Sequence, residues 1–162
     1  VTPAFGFWSR FCVFAAMAFR PPEIMDITKV PFNQFIGLER SLREGFLFRL
    51  PAGDQYTNHL GTVHAGALMA LAEATSGEIL LRSVGSWDPA WVPVVRRFEC
   101  KFRKPATGAI DARGEIPESG VGQLLADLGT RRRASIDIPV EIYDGAGVHC
   151  CSASVEWFIA AS

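Results

Sequence analysis

Five residues within one short stretch, Asn58, Thr62, His64, Ala65 and Gly66, precede an apolar run that carries a carboxylate at Glu73. Helix formers dominate from Ala65 to Leu81 and no proline interrupts them, so Ala65 stands in the first turn of a helix. First-turn N–H groups lack partners and carry positive partial charge. The Ala65 N–H is therefore placed to hold a developing oxyanion, as acyl transfer requires. A carboxylate such as Glu73 could attack an acyl carbon or activate a water, and Asn58 could orient that water or the carbonyl. Each residue also has a plain structural role. Asn58 could shape its loop, His64 could cap the helix, and Glu73 could reach solvent or pair with an arginine. Arg131, Arg132 and Arg133 form either a solvated strand end or a contact for a phosphate-bearing ligand. His59 and His149 have no assigned role.

Helix geometry constrains these roles. At ~100° per residue, Leu68, Leu71, Ala72, Thr75 and Ile79 share one face. Glu73 lies opposite, with Gly66, Ala70 and Gly77, on a stripe of small residues that another backbone could approach closely. The expectation is that the first face packs on the chain's own sheet and the second meets another subunit. Ala65 and Glu73 are ~12 Å apart along the helix axis, so they cannot both touch one carbonyl. If both are catalytic, they come from different chains, and the protein is an oligomer.

Composition narrows the classes. The 162 residues suffice for one domain with a core. A formal net charge of -1 gives no reason to expect nucleic acid or an anionic membrane as partner. Cys12, Cys100, Cys150 and Cys151 suit neither a disulfide framework nor a C-x-x-C metal pair, and His59, His64 and His149 have no zinc spacing. They read as reduced thiols in a cytoplasmic protein without a metal or cofactor.

Residues 1–24 differ from the rest. The apolar run from Phe11 to Phe19 is shorter than the ~20 residues that a membrane span needs. The preferred reading is an upstream extension before a start at Met25; a signal peptide ending near Ala16-Met-Ala18 and an amphipathic anchor are the alternatives. Residues 25–162 then form a single domain. Asp26 to Phe35 reads as a short helix, and Leu38 to Leu50 as an extended stretch kinked near Gly45. The central helix should end near Gly85 in a left-handed cap. Val92 to Lys104 is a strand with Phe98, Cys100 and Phe102 on its apolar face. Ala109 to Ile116 is the next strand, and Glu118 to Leu128 a short helix or irregular segment. Arg131 to Tyr143 is a long strand with Ala134, Ile136, Ile138, Val140 and Ile142 on one face; Pro139 fits an edge or bulge. Asp144 to Gly147 turns the chain into a last strand, Val148 to Ile159. The architecture this order favours is α+β: a curved antiparallel sheet around one central helix, whose free edge a second copy could cover.

The motif Asn58-x-x-Gly61-Thr62-x-His64-Ala65-Gly66-Ala-Leu-x-x-Leu-Ala-Glu73 resembles hotdog-fold acyl-CoA thioesterases of the phenylacetyl-CoA and 4-hydroxybenzoyl-CoA type. It is nearest to a branch with His-Ala-Gly-Ala-Leu rather than His-Gly-Gly. The resemblance extends over roughly Pro31 to Ile159. It implies that Glu73 is the acidic nucleophile or base, Asn58 the loop amide near the thioester, and His64 the histidine before the oxyanion residue. Ala65 stands where the family usually has glycine, keeping the N–H but adding a methyl. Gly66, Thr62, Arg131, Arg132 and Arg133 are assigned to the substrate, an acyl-CoA whose coenzyme A is part of the substrate rather than a cofactor. Gly77 stands where some members carry a threonine or serine that positions water. The family implies a homodimer or homotetramer with the thioester at the subunit interface. Helix residues and the loop Ser86 to Val92, with Trp87 and Trp91, are expected to wall the tunnel and admit aryl or medium-chain acyl groups. Two other readings stand beside hydrolysis: a non-catalytic acyl-CoA-binding protein, and a hotdog dehydratase or hydratase using His59 and Glu73, although the His-Phe-Pro-Gly signature of such enzymes is missing.

Overall fold

The computed structural model describes residues 25–161; the alternatives for residues 1–24, and Cys12, lie outside the described residues. Its long helix forms where cap chemistry and composition coincide. His64 is extended and accepts the Gly66 N–H on Nδ1 at 2.9 Å, which satisfies one first-turn donor. The main helix, numbered α2, then runs Ala65–Val84. It stops at Gly85, whose φ of 71° a residue with a Cβ rarely adopts.

Among the described residues, six strands wrap this helix: β1 (Glu39–Arg40), β2 (Phe48–Leu50), β3 (Trp91–Phe102), β4 (Ile110–Gly114), β5 (Arg133–Asp144) and β6 (His149–Ala161). They pair antiparallel in the order β1-β2-β4-β5-β6-β3. Alternation decides which side of the sheet meets the helix. Ala134, Ile136, Ile138, Val140 and Ile142 of β5 are buried while Ser135, Asp137 and Pro139 are exposed. Val155, Trp157 and Ile159 of β6 continue the buried layer. Leu68, Leu71, Ala72, Thr75 and Ile79 of α2 are buried against it, as the wheel predicts, in one core.

Several boundaries differ from expectation, each for a local reason. Leu38 to Leu50 is two short strands rather than one kinked strand; β1 and β2 pair with each other, and Gly45 at φ 78° lies in the turn between them. Asp26 to Phe35 splits into a 3₁₀ turn, Ile27–Lys29, and helix α1, Pro31–Phe35. Val30 between them is extended, as the residue before a proline prefers. Helix α3 runs Glu118–Arg131, past Gly129, because Leu124 and Leu128 anchor it in the core. Arg131 is therefore helical, Arg132 takes the left-handed conformation at φ 55°, and β5 starts only at Arg133. Pro139 lies in an interior strand, but β4 ends opposite Val140, so its missing N–H falls just beyond that ladder.

Strand β3 forms the long edge of the sheet. Among the described residues it pairs only with β6, and it carries a register shift between Val95 and Arg97. Its apolar face is only partly covered: Phe98 and Cys100 are half-buried, and Phe102 is exposed. Cys100, Cys150 and Cys151 are free thiols.

Candidate active site

The loop before α2 is knitted by Asn58. Its Oδ1 accepts the N–H groups of Leu60 at 2.9 Å and Thr62 at 3.2 Å, and its Nδ2 donates to Thr62 Oγ1 at 2.9 Å. Gly61, at φ 74°, permits the tight reversal that returns its N–H to the Asn58 carbonyl. Asn58 and Thr62 thus hold each other, and the loop delivers His64 to the start of α2. The cap bond to His64 Nδ1 places the ring proton on Nε2. It also occupies the Gly66 N–H. Ala65 is the first residue of the helix, so its N–H has no intrahelical partner; among the described residues no other bond claims it, and the residue is exposed.

Glu73 lies two turns further along. It is half-buried, and its carboxylate has no hydrogen-bond or ion-pair partner among the described residues. Burial pushes its carboxyl above the usual range. Glu73 lines a cavity of about 890 Å³ that runs between α2, the Ile27–Phe32 segment and the start of β3. The α2 wall comprises Glu73, Ala74, Gly77, Leu80 and Leu81, and Trp157, Phe32 and Val94 contribute from the other sides. The remainder is almost wholly apolar, so the carboxylate is its principal charged feature.

The small-residue stripe behaves differently from expectation at one position. Gly66 is exposed and Ala70 half-buried, but Gly77 is buried by its own chain. A Cβ there would meet the Trp157 ring at 3.4 Å and Ile27 at 3.6 Å. Trp157 is held in place by its Nε1–H, which donates to Ser76 Oγ at 2.9 Å, and Ser76 Oγ in turn donates to the Glu73 carbonyl at 2.7 Å. Thr75 Oγ1 donates to the Leu71 carbonyl. Both hydroxyls near Glu73 in sequence are thus engaged in the helix or core.

The arginines sit elsewhere. Arg133 pairs with Ala160 near the end of β6, across from Val92 of β3. The loop before α2 joins the opposite end of the sheet, where the Val63 N–H bonds the Ala106 carbonyl just beyond β3. Within one chain, Arg131, Arg132 and Arg133 are therefore nearly the length of β6 from Ala65. Arg131 pairs with Asp127 at 3.4 Å. His59 is exposed in the loop, and His149 stacks on Tyr143 with centroids 4.8 Å apart. Trp87 lines the cavity, whereas Trp91 packs edge-on against it and accepts the Trp87 Nε1–H on its carbonyl. Sequence reasoning missed Trp157, although its inward position in the β6 alternation was a usable signal.

A curved antiparallel sheet closed around one long helix is the hotdog fold of the thioesterase superfamily, and solved structures agree. One is a protein of unknown function from Pseudomonas aeruginosa, described as a probable thioesterase, with 27% identity, a TM-score of 0.70, and coverage of 84% of this chain and 91% of that one. A protein of unknown function from Chlorobaculum tepidum has 23% identity and a TM-score of 0.69 over 83% of this chain and 88% of that one. A Bacillus halodurans protein, crystallised with CoA, has 19% identity and a TM-score of 0.54, covering 69% of each chain. Comparison with curated proteins returns no match. Residues 28–159 match the family model described as Domain of unknown function (DUF4442), and the chain belongs to that family. Among the described residues, no helix is long and apolar enough to cross a membrane.

Proposed function

We propose that this protein hydrolyses an acyl-CoA thioester, with Glu73 as base or nucleophile. The observation that carries this is an unpaired, half-buried carboxylate opening into a large apolar cavity. As a base, Glu73 takes a proton from water while the hydroxide adds to the thioester carbonyl. The Ala65 N–H of a second subunit holds the oxyanion, the C–S bond breaks, and the thiolate takes up the proton. As a nucleophile, Glu73 forms an anhydride that water then opens. A carboxylate raised by burial is a stronger base than an exposed one, which suits either route.

The two-subunit site follows from the ~12 Å separation of Ala65 and Glu73 along one helix. The free edge of β3, with Val94 and Val95 exposed, supports pairing with a second copy. Arg131, Arg132 and Arg133 could reach coenzyme A phosphates at a helix start only across such a pairing. A dimer or tetramer is thus part of the proposal.

One observation favours a second reading. With Gly77 bare and the Ser76 and Thr75 hydroxyls engaged, no hydroxyl from this turn is free to hold a water beside Glu73. A protein that binds acyl-CoA without turnover fits that arrangement. The deciding experiment is thiol release from short, medium, long and aryl acyl-CoAs by wild type and Glu73→Ala. A loss of at least ~100-fold supports hydrolysis by Glu73. Equal rates in both proteins would remove Glu73 from the chemistry. Absent turnover with retained acyl-CoA binding would establish the second reading.

A further inference from the structure

Two of the free thiols meet across the β3–β6 ladder. In its register Cys100 is opposite Ala153 and Cys151 is opposite Phe102, so the two cysteines are diagonal neighbours. Residues two apart on a strand share a face, which puts both sulfurs on one side of the sheet. Their Sγ atoms are 2.9 Å apart. A disulfide bond is ~2.05 Å long, so closing one moves the sulfurs by roughly 0.9 Å. Cys150 is next to Cys151 in sequence but falls at the irregularity in the β5–β6 register, and its Sγ contacts the Val148 carbonyl at 3.1 Å. The facing thiols also differ in access. Cys100 is half-buried, whereas Cys151 is fully buried, and that burial pushes its thiol pKa up.

We infer that Cys100 and Cys151 form a dithiol site that hydrogen peroxide converts reversibly to a disulfide, with Cys100 oxidised first and Cys151 resolving it. The inference is independent of the thioester reading. In the first step the Cys100 thiolate attacks one peroxide oxygen and the O–O bond breaks. The sulfur becomes a sulfenic acid, and the departing hydroxide takes up the proton that the thiol released. In the second step the Cys151 sulfur attacks the sulfenic sulfur. The S–S bond forms, the S–O bond breaks, and the Cys151 proton leaves with the hydroxyl as a second water. The two thiols together give up two electrons, and the peroxide takes them. Burial keeps Cys151 protonated, so its attack depends on proximity rather than on thiolate charge. Diagonal neighbours on paired strands are ~7–8 Å apart, at the upper limit of what a disulfide spans. The bridge therefore draws the end of β3 inward, which makes it a labile bond rather than a permanent staple. From that end the chain runs to Ala106, whose carbonyl accepts the Val63 N–H two residues before Ala65.

The test treats the full chain with hydrogen peroxide, blocks the remaining thiols and maps the peptides by mass spectrometry. In wild type the peptides carrying Cys100 and Cys151 should appear joined within one chain, two hydrogens lighter than their sum, and should separate again on reduction with dithiothreitol. Cys150→Ala should keep the link, which assigns it to Cys151 rather than to its neighbour. Two further variants separate the steps. In Cys151→Ala, dimedone should trap Cys100 as its sulfenic acid; in Cys100→Ala, labelling of Cys151 should be at least ~10-fold weaker. The wild-type map decides the matter if a buried-cysteine variant fails to fold. A link through Cys150 or Cys12, links only between chains, or no Cys100–Cys151 link at a dose that oxidises glutathione in the same tube would overturn the inference. Equal dimedone labelling of Cys100 and Cys151 in the two variants would overturn the order of the steps.

Discussion

Glu73 and Glu78 lie on the same helix in opposite electrostatic surroundings. The Glu78 side chain is 7% exposed and paired with Arg40 and with Arg82, the latter at 2.8 Å. Glu73 has no partner among the described residues and faces the cavity. Five residues of helix rotate the second acid by ~140° from the first, which takes it out of the cavity and toward β1. The helix thus separates a carboxylate that ties the fold together from one available to a ligand.

Removing the paired acid should affect stability. Glu78→Gln leaves Arg82 without its carboxylate and Arg40 with Asp26, at 3.4 Å, although both guanidinium groups are about half-exposed and partly screened by solvent. A loss of about 2 kcal/mol in urea denaturation is expected. A change below about 0.5 kcal/mol would mean that water already does the work of the pair.

Removing the unpaired acid should act in the other direction, and only at higher pH. Burial raises the Glu73 pKa in the folded protein, so the folded state holds this proton more tightly than the unfolded one. Its contribution to stability therefore falls as pH rises from about 4.3, the unfolded value, through the raised folded value. Glu73→Gln escapes that loss. It should melt at a higher temperature than wild type at pH 8, with the difference shrinking toward zero below about pH 4. A pH-independent difference would argue against a desolvated carboxylate.

The N–H proposed as oxyanion donor can be deleted without deleting the helix. Ala65 is the first helical residue, where proline is tolerated, and His64 before it is already extended at ψ 139°. Ala65→Pro should keep the helical circular dichroism of wild type while thiol release falls roughly 100- to 1,000-fold. Full activity in a folded Ala65→Pro protein would rule out this N–H as the donor.

If the site is shared between subunits as proposed, it can be reassembled from two broken proteins. In a mixed dimer of Glu73→Ala and Ala65→Pro chains, one of the two composite sites is intact and the other doubly damaged. Random pairing should restore about a quarter of wild-type activity, although each variant alone is nearly inactive. No restoration in demonstrated heterodimers would place both groups in one chain, or only one of them in the reaction.

Much of this arrangement was legible because its determinants are local. The stop at Gly85 and the start at Ala65 follow from a few neighbouring residues, and the β5 alternation alone orients the sheet. The contacts that were not legible join distant segments. Glu78 finds Arg40 across 38 residues, and Ser76 meets Trp157 across 81. Gly77 reads in sequence as an absent hydroxyl, but its role as the seat of an indole depends on β6. The three consecutive arginines read as one strand end, yet the helix before them runs far enough to take Arg131 and use Arg132 as its terminus. The helix won there because Leu124 and Leu128 give it a buried anchor, which propensity at Gly129 does not reveal.

The cavity follows the C-terminal half of α2, from Glu73 to Gly85, while the first-turn N–H groups lie at the other end. Substitutions at Gly77, Leu81 or Ile27 can therefore reshape the cavity without altering the geometry of the loop that starts the helix. A lineage carrying this helix could inherit its first turn unchanged while the cavity beside its other end changes shape. Related chains with the same Asn58-to-Glu73 motif need not share a ligand.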